Sequence, residues 1–189
     1  MPPLLQDQNR YDCILAAAEV LFRTKGYHAT SMSDVAEQCQ IQKAALYYHF
    51  ASKEALALAV MAKVQAYFDK VVFGFAYDKD MPRSERLAKL AQNLAAYYSA
   101  DTGGCLFAGF AVEELADTPA FHAPIQHYFK SWTKACETLF AEVYDSESAR
   151  TLAENFVADL QGALVMMRVT RQATYLQRLF LRLKETLAE

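Results

Sequence analysis

The segment His28–Phe50 has the sequence HATSMSDVAEQCQIQKAALYYHF, which predicts two short amphipathic helices joined by a tight turn. Ser31, followed three residues later by Asp34, gives the polar spacing of a capped helix start. The apolar stripe of this first helix consists of Met32, Val35, Ala36 and Cys39. After the turn, a second helix is predicted from Lys43 to Phe50. This arrangement is typical of helix-turn-helix proteins, which lay the second helix in the major groove of DNA.

The second helix is predicted to bury one side, formed by Ala45, Leu46 and Phe50. Its other side is predicted to face solvent or DNA and carries Gln42, Lys43, Ala44, Tyr47, Tyr48 and His49. The Gln and Lys side chains can donate hydrogen bonds to base edges or phosphates, and the small Ala allows close approach. Two adjacent exposed tyrosines on so short a helix favour a surface that has a partner.

Helices are also predicted on both sides of this motif. An apolar stripe at helical spacing predicts a helix over residues 10–24, which Gly26 ends. Ser52 and Lys53 start a longer helix that continues to Val71. Ser146 is expected to cap a later helix. The remaining helices are predicted at residues 83–100, 105–116, 120–144, 147–169 and 174–188. The breaks that precede the first three of them are predicted at Asp78–Pro82, Asp101–Gly104 and Asp117–Pro119.

The composition is typical of an all-α protein. The 189 residues include only 6 Gly and 5 Pro, and the stretches between them are rich in good helix formers. We therefore predict an all-α fold with two domains. Residues 1–52 would form a three-helix, helix-turn-helix DNA-binding domain, and residues 53–189 a helical bundle for ligand binding and dimerisation.

Charge and targeting features exclude several classes of protein. The start of the chain has no basic region or apolar stretch of a secretory signal, and no apolar run approaches the ~18 residues of a membrane span. A cytoplasmic protein without a membrane partner is therefore expected. The net charge of −3 gives no general attraction to DNA, so DNA binding has to come from geometry. The 4 cysteines are scattered without a CxxC pair, which predicts free thiols rather than a disulfide framework or a zinc ribbon. No bound metal and no cofactor are expected.

Several short motifs between Ile14 and Leu56 occur together in a known protein family. They are Ala17-Ala18, Leu21-Phe22, Gly26-Tyr27, Thr30-Ser31, Val35-Ala36, Ala45-Leu46-Tyr47-Tyr48-His49-Phe50 and Ser52-Lys53-Glu54-Ala55-Leu56. This string closely resembles the DNA-binding domain of the TetR (tetracycline repressor) family. The family's most recognisable signature is a tyrosine before two polar residues and a phenylalanine, followed by a lysine-glutamate pair. The number and length of the remaining predicted helices also resemble the family's pattern.

The resemblance implies DNA-binding roles for individual residues. Those that would hold phosphates are Thr30, Tyr47, His49 and Lys53, and those that would lie nearest the bases are Gln42, Lys43, Ala44 and Tyr48. The alternative for Thr30 is a capping role alone. Gln40 stands where the family usually has a glycine, which implies a turn built without one. Ala45 stands where a Thr or Ser often contacts DNA, so the operator sequence does not carry over.

A region rich in aromatic residues is the candidate ligand site of the second predicted domain. Its proposed lining consists of Tyr97, Tyr98, Phe107, Phe110, Tyr128 and Trp132. Such a cavity in a helical bundle would suit a small apolar or aromatic effector. The alternative, that these side chains only fill a core, stays open.

The last two predicted helices carry continuous apolar stripes, and Gly162 and Ala163 permit close contact between helices. Two such helices from each of two protomers would make a four-helix interface, which resembles the family's usual homodimer. A two-fold dimer would explain how one chain binds a palindromic operator in double-stranded DNA. The alternative is packing within one chain only.

Cys105 follows a glycine pair at the predicted start of a helix. Unpaired backbone N–H groups and the positive end of the helix dipole lower the pKa of a thiol in such a position. The Gly-Cys-Leu stretch also resembles a TetR branch in which some members sense electrophiles or oxidants, so Cys105 is a candidate redox sensor. Cys13 and Cys39 are expected to face the core of the DNA-binding domain, and Cys136 to lie within a helix.

Two other classes of function remain as alternatives. A small helical enzyme has little support, because the chain has no Gly-rich phosphate loop, no GxSxG and no HExxH, and His122 and His127 are poorly spaced for one metal. A helical protein-interaction module would explain the acidic balance. It would not explain Tyr47-Tyr48-His49-Phe50 followed by Lys53-Glu54.

Overall fold

The computed structural model describes residues 3–98, 103–114 and 118–187. These ranges are helical and contain no strand, which confirms the predicted all-α class. The α-helices are α1 (Pro3–Lys25), α2 (Met32–Gln38), α3 (Lys43–His49), α4 (Lys53–Phe68), α5 (Gly74–Tyr77), α6 (Arg83–Tyr97), α7 (Leu106–Glu114), α8 (His122–Phe140), α9 (Ser146–Thr170) and α10 (Thr174–Thr186). None of the helices in these ranges is both long and apolar enough to cross a membrane.

The first of two compact units comprises residues 1–64 and 106–124. It contains α1, α2, α3, most of α4 and α7. Its core is formed by the apolar stripe of α1 together with side chains from the shorter helices; the largest fully buried members include Ile14, Leu46, Leu56, Met61, Phe107, Phe110 and Phe121. The functional boundary predicted after residue 52 stays a prediction.

The predicted capping arrangement at the start of α2 is confirmed. The backbone N–H of Asp34 donates to Ser31 Oγ over 3.1 Å, and the backbone N–H of Ser31 donates to Asp34 Oδ2 over 2.7 Å. Hydrogen bonds from the Ser31 side chain and backbone, followed by Lys25, lower the pKa of Asp34 to about 2. The carboxylate is therefore charged at the positive end of the helix at neutral pH.

The turn between α2 and α3 has the closing hydrogen bonds of a Schellman motif. The N–H of Gln40 donates to Glu37 O over 3.0 Å, and the N–H of Ile41 donates to Ala36 O over 3.0 Å. Gln40 itself takes the left-handed conformation, with φ of 54°. The expected turn without glycine is therefore confirmed, with a glutamine in the conformation that favours glycine.

The second unit comprises residues 65–105 and 125–189. In it the long helix predicted through Val71 changes at Asp69–Phe73 to a π-helical turn before α5 begins. The predicted helix over 120–144 is shorter and ends as α8 at Phe140. The predicted break at Asp78–Pro82 is confirmed, whereas residues 101–102 and 117, at two other predicted breaks, lie outside the described residues.

The expected cap at Ser146 is wrong. The N-cap of α9 is Asp145, whose Oδ1 accepts the backbone N–H of both Glu147 and Ser148 over 3.0 Å. Asp is as strong an N-cap as Ser and accepts two bonds with one carboxylate oxygen, so the helix starts one residue earlier. Behind this cap, α9 packs along α10 through buried positions on the two helices: Phe156, Leu160, Leu164, Met167, Leu176, Leu179 and Leu183.

Candidate nucleic-acid interface

The α3 helix separates its apolar and polar sides as predicted. Leu46 is fully buried and Phe50, just after the helix, is buried, whereas Tyr47 is 45% and Tyr48 is 79% exposed. The other predicted contact residues that are exposed are Gln42, Lys43 and Ala44. Ala45 is half-buried rather than buried, because its position lies at the margin between the two sides. The exposed side presents polar and aromatic groups of the kind that contact DNA.

Gln42 begins this surface. It is the N-cap residue of α3, with extended backbone angles of −69° and 144°, but its side chain makes no capping hydrogen bond. The amide is an acceptor and a donor at once, which is the pattern that can bind the edge of adenine. Lys43 follows it, with Nζ 5.9 Å from the centre of the Tyr47 ring, close enough for a weak cation–π attraction.

His49 lies at the edge of the exposed surface and is half-buried. Its ring meets Tyr48 edge-on at 5.3 Å and the Tyr11 ring of α1 at 6.2 Å. Tyr11 in turn stacks on Phe50 at 5.2 Å. These contacts hold the His49 ring against Tyr11 of α1. The phosphate contact predicted for His49 stays a prediction.

Thr30 is buried, with 1% of its surface exposed. Its hydroxyl donates to Gly26 O over 2.7 Å, and its backbone N–H donates to Tyr27 O over 3.2 Å. Both donors are therefore used within the loop that leads into α2. The phosphate contact implied for Thr30 stays a prediction, and its observed role is to shape the loop before the Ser31 cap.

Lys53 joins the start of α4 to the same loop. Its Nζ donates to Tyr27 O over 2.9 Å and lies 4.1 Å from the centre of the Tyr27 ring. An ammonium group has three N–H donors, so one bond to this carbonyl leaves donors for a phosphate. The geometry is compatible with the predicted phosphate contact and adds a structural role that the sequence had not indicated.

Glu113 on α7 is a contact that sequence reasoning missed. Its Oε2 accepts the backbone N–H of His28 over 3.1 Å, across 85 positions of sequence. A Cβ at Gly26, where φ is +91°, would clash with Glu113 Oε1. The sequence signal was Gly26 itself, which predicted the end of α1 but not the carboxylate that approaches it.

The six candidate ligand residues are divided between the two units, and their joint ligand site stays a prediction. Phe110 belongs to the first unit, where it lies 5.3 Å from Tyr27 and 5.1 Å from Phe121, ring centre to ring centre. Phe107 is buried in that unit as well. The other four candidates, Tyr97, Tyr98, Tyr128 and Trp132, lie in the second unit. There they form an aromatic cluster with Phe68 and Phe73.

The second-unit aromatic cluster contains a polar pair. The hydroxyl oxygens of Tyr98 and Tyr128 are 3.3 Å apart, and both residues are buried. Burial, and then the charge of a nearby Cys105 thiolate, raise the pKa of each phenol well above its usual value of 10.0. Cys105 is therefore a buried neighbour of the two phenols, with 7% of its surface exposed. It directly precedes α7, the predicted helix-start position, and its sensing role stays a prediction.

A separate groove lies between α6 and α10 in the second unit. Its volume of about 680 Å³ is within the range of small-molecule sites. Apolar side chains such as Leu87, Phe180 and Leu187 line it, with Arg83 and Lys184 among the polar lining residues. Apolar side chains also lie exposed on α9 and α10: Val165, Met166, Val169 and Leu181.

The expected core position of one cysteine is wrong. Cys13 is exposed on α1, because it falls on the side of the helix away from Ile14 and Leu15. Cys39 is half-buried, and Cys136 is buried within α8, where burial raises the pKa of its thiol to about 12. Among the described residues, no group of three or more His, Cys, Asp or Glu side chains is placed to hold a metal ion.

Two family models match the chain. One is described as bacterial regulatory proteins, tetR family, and covers residues 14–60. The other is described as transcriptional regulator LmrA/YxaF-like, C-terminal domain, and covers residues 83–180. The first match includes the whole helix-turn-helix, and the second spans more than half of the chain.

Proteins that are similar to this chain over most of their own length agree with these family models. The HTH-type transcriptional repressor DhaR of Mycobacterium sp. (strain GP1) is 26% identical over 162 residues, which is 80% of this chain and 78% of DhaR. An uncharacterized HTH-type transcriptional regulator in the lacX 3′ region of Lactococcus lactis is 27% identical over 180 residues, 92% of this chain and 90% of the relative. The crystal structure of a TetR transcriptional regulator from Legionella pneumophila has a TM-score of 0.84 and 25% identity, covering 93% of this chain and 96% of that one.

Proposed function

The chain belongs to the TetR family of DNA-binding transcriptional regulators, and on that premise we propose that it is a homodimeric, cytoplasmic repressor released from a palindromic operator by a small molecule. The observation that carries the proposal is the outer side of α3. Five predicted contact residues are exposed there on a helix whose opposite side is buried. A recognition helix in the major groove requires this division.

The DNA contacts divide into two groups. Gln42, Lys43, Ala44 and Tyr48 contact base edges from the start and the most exposed part of α3. Tyr47, His49, Lys53 and the loop around Thr30 position the phosphate backbone. The net charge of −3 makes these local donors important, because the protein as a whole does not attract DNA.

Dimerisation follows from the exposed apolar residues on α9 and α10. Val165 is 60%, Val169 is 74% and Leu181 is 58% exposed. A partner's identical helices would cover these side chains in a two-fold interface, which also aligns two recognition helices with a palindrome. A variant with Val165 and Val169 changed to Ser should dissociate in sedimentation velocity at micromolar concentration.

The effector is a small apolar or aromatic molecule that binds in the second unit. The cluster of Tyr97, Tyr98, Tyr128 and Trp132 supports this chemistry, and the paired hydroxyls of Tyr98 and Tyr128 are its polar element. Release from DNA requires that the ligand prefer one of two conformations, typically by about 1–3 kcal/mol of coupling. Cys105, beside the two phenols, is the second route to the same change, by reaction of its thiol with an electrophile or oxidant.

The test uses fluorescence anisotropy with DNA flanking the chain's own gene. Lys43→Ala should weaken binding, change the preferred base in the half-site, and lower the slope of log affinity against log salt by about one if Lys43 contacts a phosphate. Arg150→Ala is the matched control, because Arg150 is an exposed cation of α9 in the second unit. If Lys43→Ala and Tyr47→Ala both bind like Arg150→Ala, the proposed interface is wrong.

The competing classes make different predictions. A protein-interaction module would bind operator DNA no better than random DNA at any salt concentration, and its α3 variants would lose a protein partner instead. We propose no enzymatic activity for the chain, in keeping with relatives that are named as transcriptional regulators.

A further inference from the structure

Two cysteines meet in the unit that carries the helix-turn-helix. Cys13 lies on the exposed side of α1, and Cys39 is the residue that ends α2. The Cys39 thiol donates to the backbone carbonyl of Cys13, with Sγ 3.3 Å from the oxygen. The second thiol therefore lies against the backbone of the residue that carries the first.

The two thiols differ in reactivity. Burial, and then interaction with the Cys13 thiol, raise the pKa of Cys39 to about 12. Cys39 is therefore protonated at neutral pH, and the exposed Cys13 is the thiol that an oxidant in solution reaches first. One accessible thiol beside a second, shielded thiol is the arrangement of a reacting and a resolving cysteine.

We propose that Cys13 and Cys39 are a reversible disulfide pair, and that a hydroperoxide acting on it lowers the affinity of the recognition helix for its operator. This site is distinct from Cys105, which lies in the second unit. It adds an oxidant-sensitive switch to the DNA-binding unit itself, independent of any ligand.

The reaction balances with one hydroperoxide, ROOH. The Cys13 thiolate attacks the outer peroxide oxygen and the O–O bond breaks, so that Cys13 becomes a sulfenic acid and the alkoxide RO⁻ leaves. The alkoxide takes up the proton that the Cys13 thiol had lost and becomes ROH. The Cys39 sulfur then attacks the Cys13 sulfur and displaces hydroxide, which leaves as water with the proton of the Cys39 thiol. Two thiols lose two electrons in total, and the peroxide gains them.

The disulfide between Cys13 and Cys39 would act on α3 through the short turn that joins α2 to α3. Cys39 is followed at once by Gln40 in the left-handed conformation, and the Schellman bonds of this turn lead into α3. Formation of a disulfide removes the thiol hydrogen bond to Cys13 O and draws the end of α2 towards α1. A displacement of the Cys39 backbone would therefore move Gln42 and Lys43. The loss of one base contact there would lower the affinity for operator DNA about tenfold.

The test uses the full chain with Cys105→Ser and Cys136→Ser, so that Cys13 and Cys39 are its cysteines. The reduced protein is treated with an organic hydroperoxide, digested without reductant and analysed by mass spectrometry. The expected product is a peptide pair joined within one chain through Cys13 and Cys39. The melting temperature of the undigested, oxidised protein should be about 5 °C higher than that of the reduced protein. Dithiothreitol should remove both the cross-link and this rise in melting temperature.

Operator affinity is measured on the same samples. Oxidation should weaken binding about tenfold, and reduction should restore it. Adding Cys39→Ser should leave Cys13 as a sulfenic acid that dimedone traps, with no cross-link; adding Cys13→Ser instead should give neither product. A cross-link between two chains, no cross-link, or a full intrachain cross-link with unchanged operator affinity would each overturn the proposal. The reduced protein is measured in every arm, so a failure of the proposed DNA binding would show there as absent operator binding and is distinguishable from these outcomes.

Discussion

Tyr47 and Tyr48 lie on the outer side of α3, whereas Tyr97 and Tyr98 end α6 in the second unit. The first pair is 45% and 79% exposed, but Tyr98 is only 2% exposed. The residue types and the spacing are the same. The difference lies in what each pair packs against, because Leu46 anchors α3 from the opposite side while Tyr98 is buried against Phe68 and Tyr128. Adjacent tyrosines therefore carry no functional meaning until their burial is known.

The largest expected effect that tests this contrast is on the free energy of unfolding. Trp132 is fully buried in the second-unit aromatic cluster, 5.1 Å from Phe73 and 6.0 Å from Phe68 between ring centres. Trp132→Ala should therefore lower the free energy of unfolding by about 3–5 kcal/mol in urea titrations. Tyr48→Ala should change it by less than about 0.5 kcal/mol and weaken operator binding instead. Equal losses of stability in the two variants would remove the contrast.

The second test concerns the loop before α2. Gly26→Ala places a Cβ against Glu113 and a side chain at φ of +91°, so it should cost about 1–2 kcal/mol of stability. The carboxylate can move away, but only by giving up its bond from the His28 N–H. In a double-mutant cycle, Gly26→Ala should cost less in a Glu113→Ala background. Additive effects would mean that the strain is in the backbone alone.

These regions also show how far the sequence could predict the molecule. The α2–α3 hairpin was predicted closely, because its cap, its apolar stripe and its exposed side depend on residues within a few positions of each other. Gln40 was even predicted to replace a glycine. The contact of Glu113 with His28 spans 85 positions, and no local pattern encodes such a distance. For the same reason, composition does not say which of the aromatic ligand candidates meet, so the sequence could not predict the contact between the Tyr98 and Tyr128 hydroxyls.

The third test uses the buried phenols. Burial raises the pKa of Tyr98, so the native state keeps this proton more firmly than the unfolded state does. The resulting stability is fully present below about pH 10, the pKa of an unfolded tyrosine, and is lost as pH rises towards the higher native pKa. Tyr98→Phe should lower stability by about 1 kcal/mol at pH 7, because Tyr128 loses its hydroxyl partner.

The same variant should flatten the loss of stability between pH 9 and pH 11 in urea titrations. Tyr48→Phe is the control, since Tyr48 is exposed and should leave the alkaline profile unchanged. A Tyr98→Phe profile as steep as that of the parent protein would show that Tyr98 does not keep its proton in the native state.

The smallest expected effect is at the turn that places α3. Gln40 adopts φ of 54°, a conformation that disfavours a side chain with a Cβ by about 1–2 kcal/mol. Glycine removes that cost but loses more entropy on folding, by roughly 0.5–1 kcal/mol. Gln40→Gly should therefore raise the free energy of unfolding by about 0.5–1 kcal/mol, whereas Gln40→Val should lower it, since a β-branched residue is strained at positive φ. Operator affinity should be unchanged in Gln40→Gly, because the Schellman hydrogen bonds are made by backbone groups and keep α3 in place. A loss of stability in Gln40→Gly would mean that the Gln40 side chain itself stabilises the turn, and the local account of this hairpin would be incomplete.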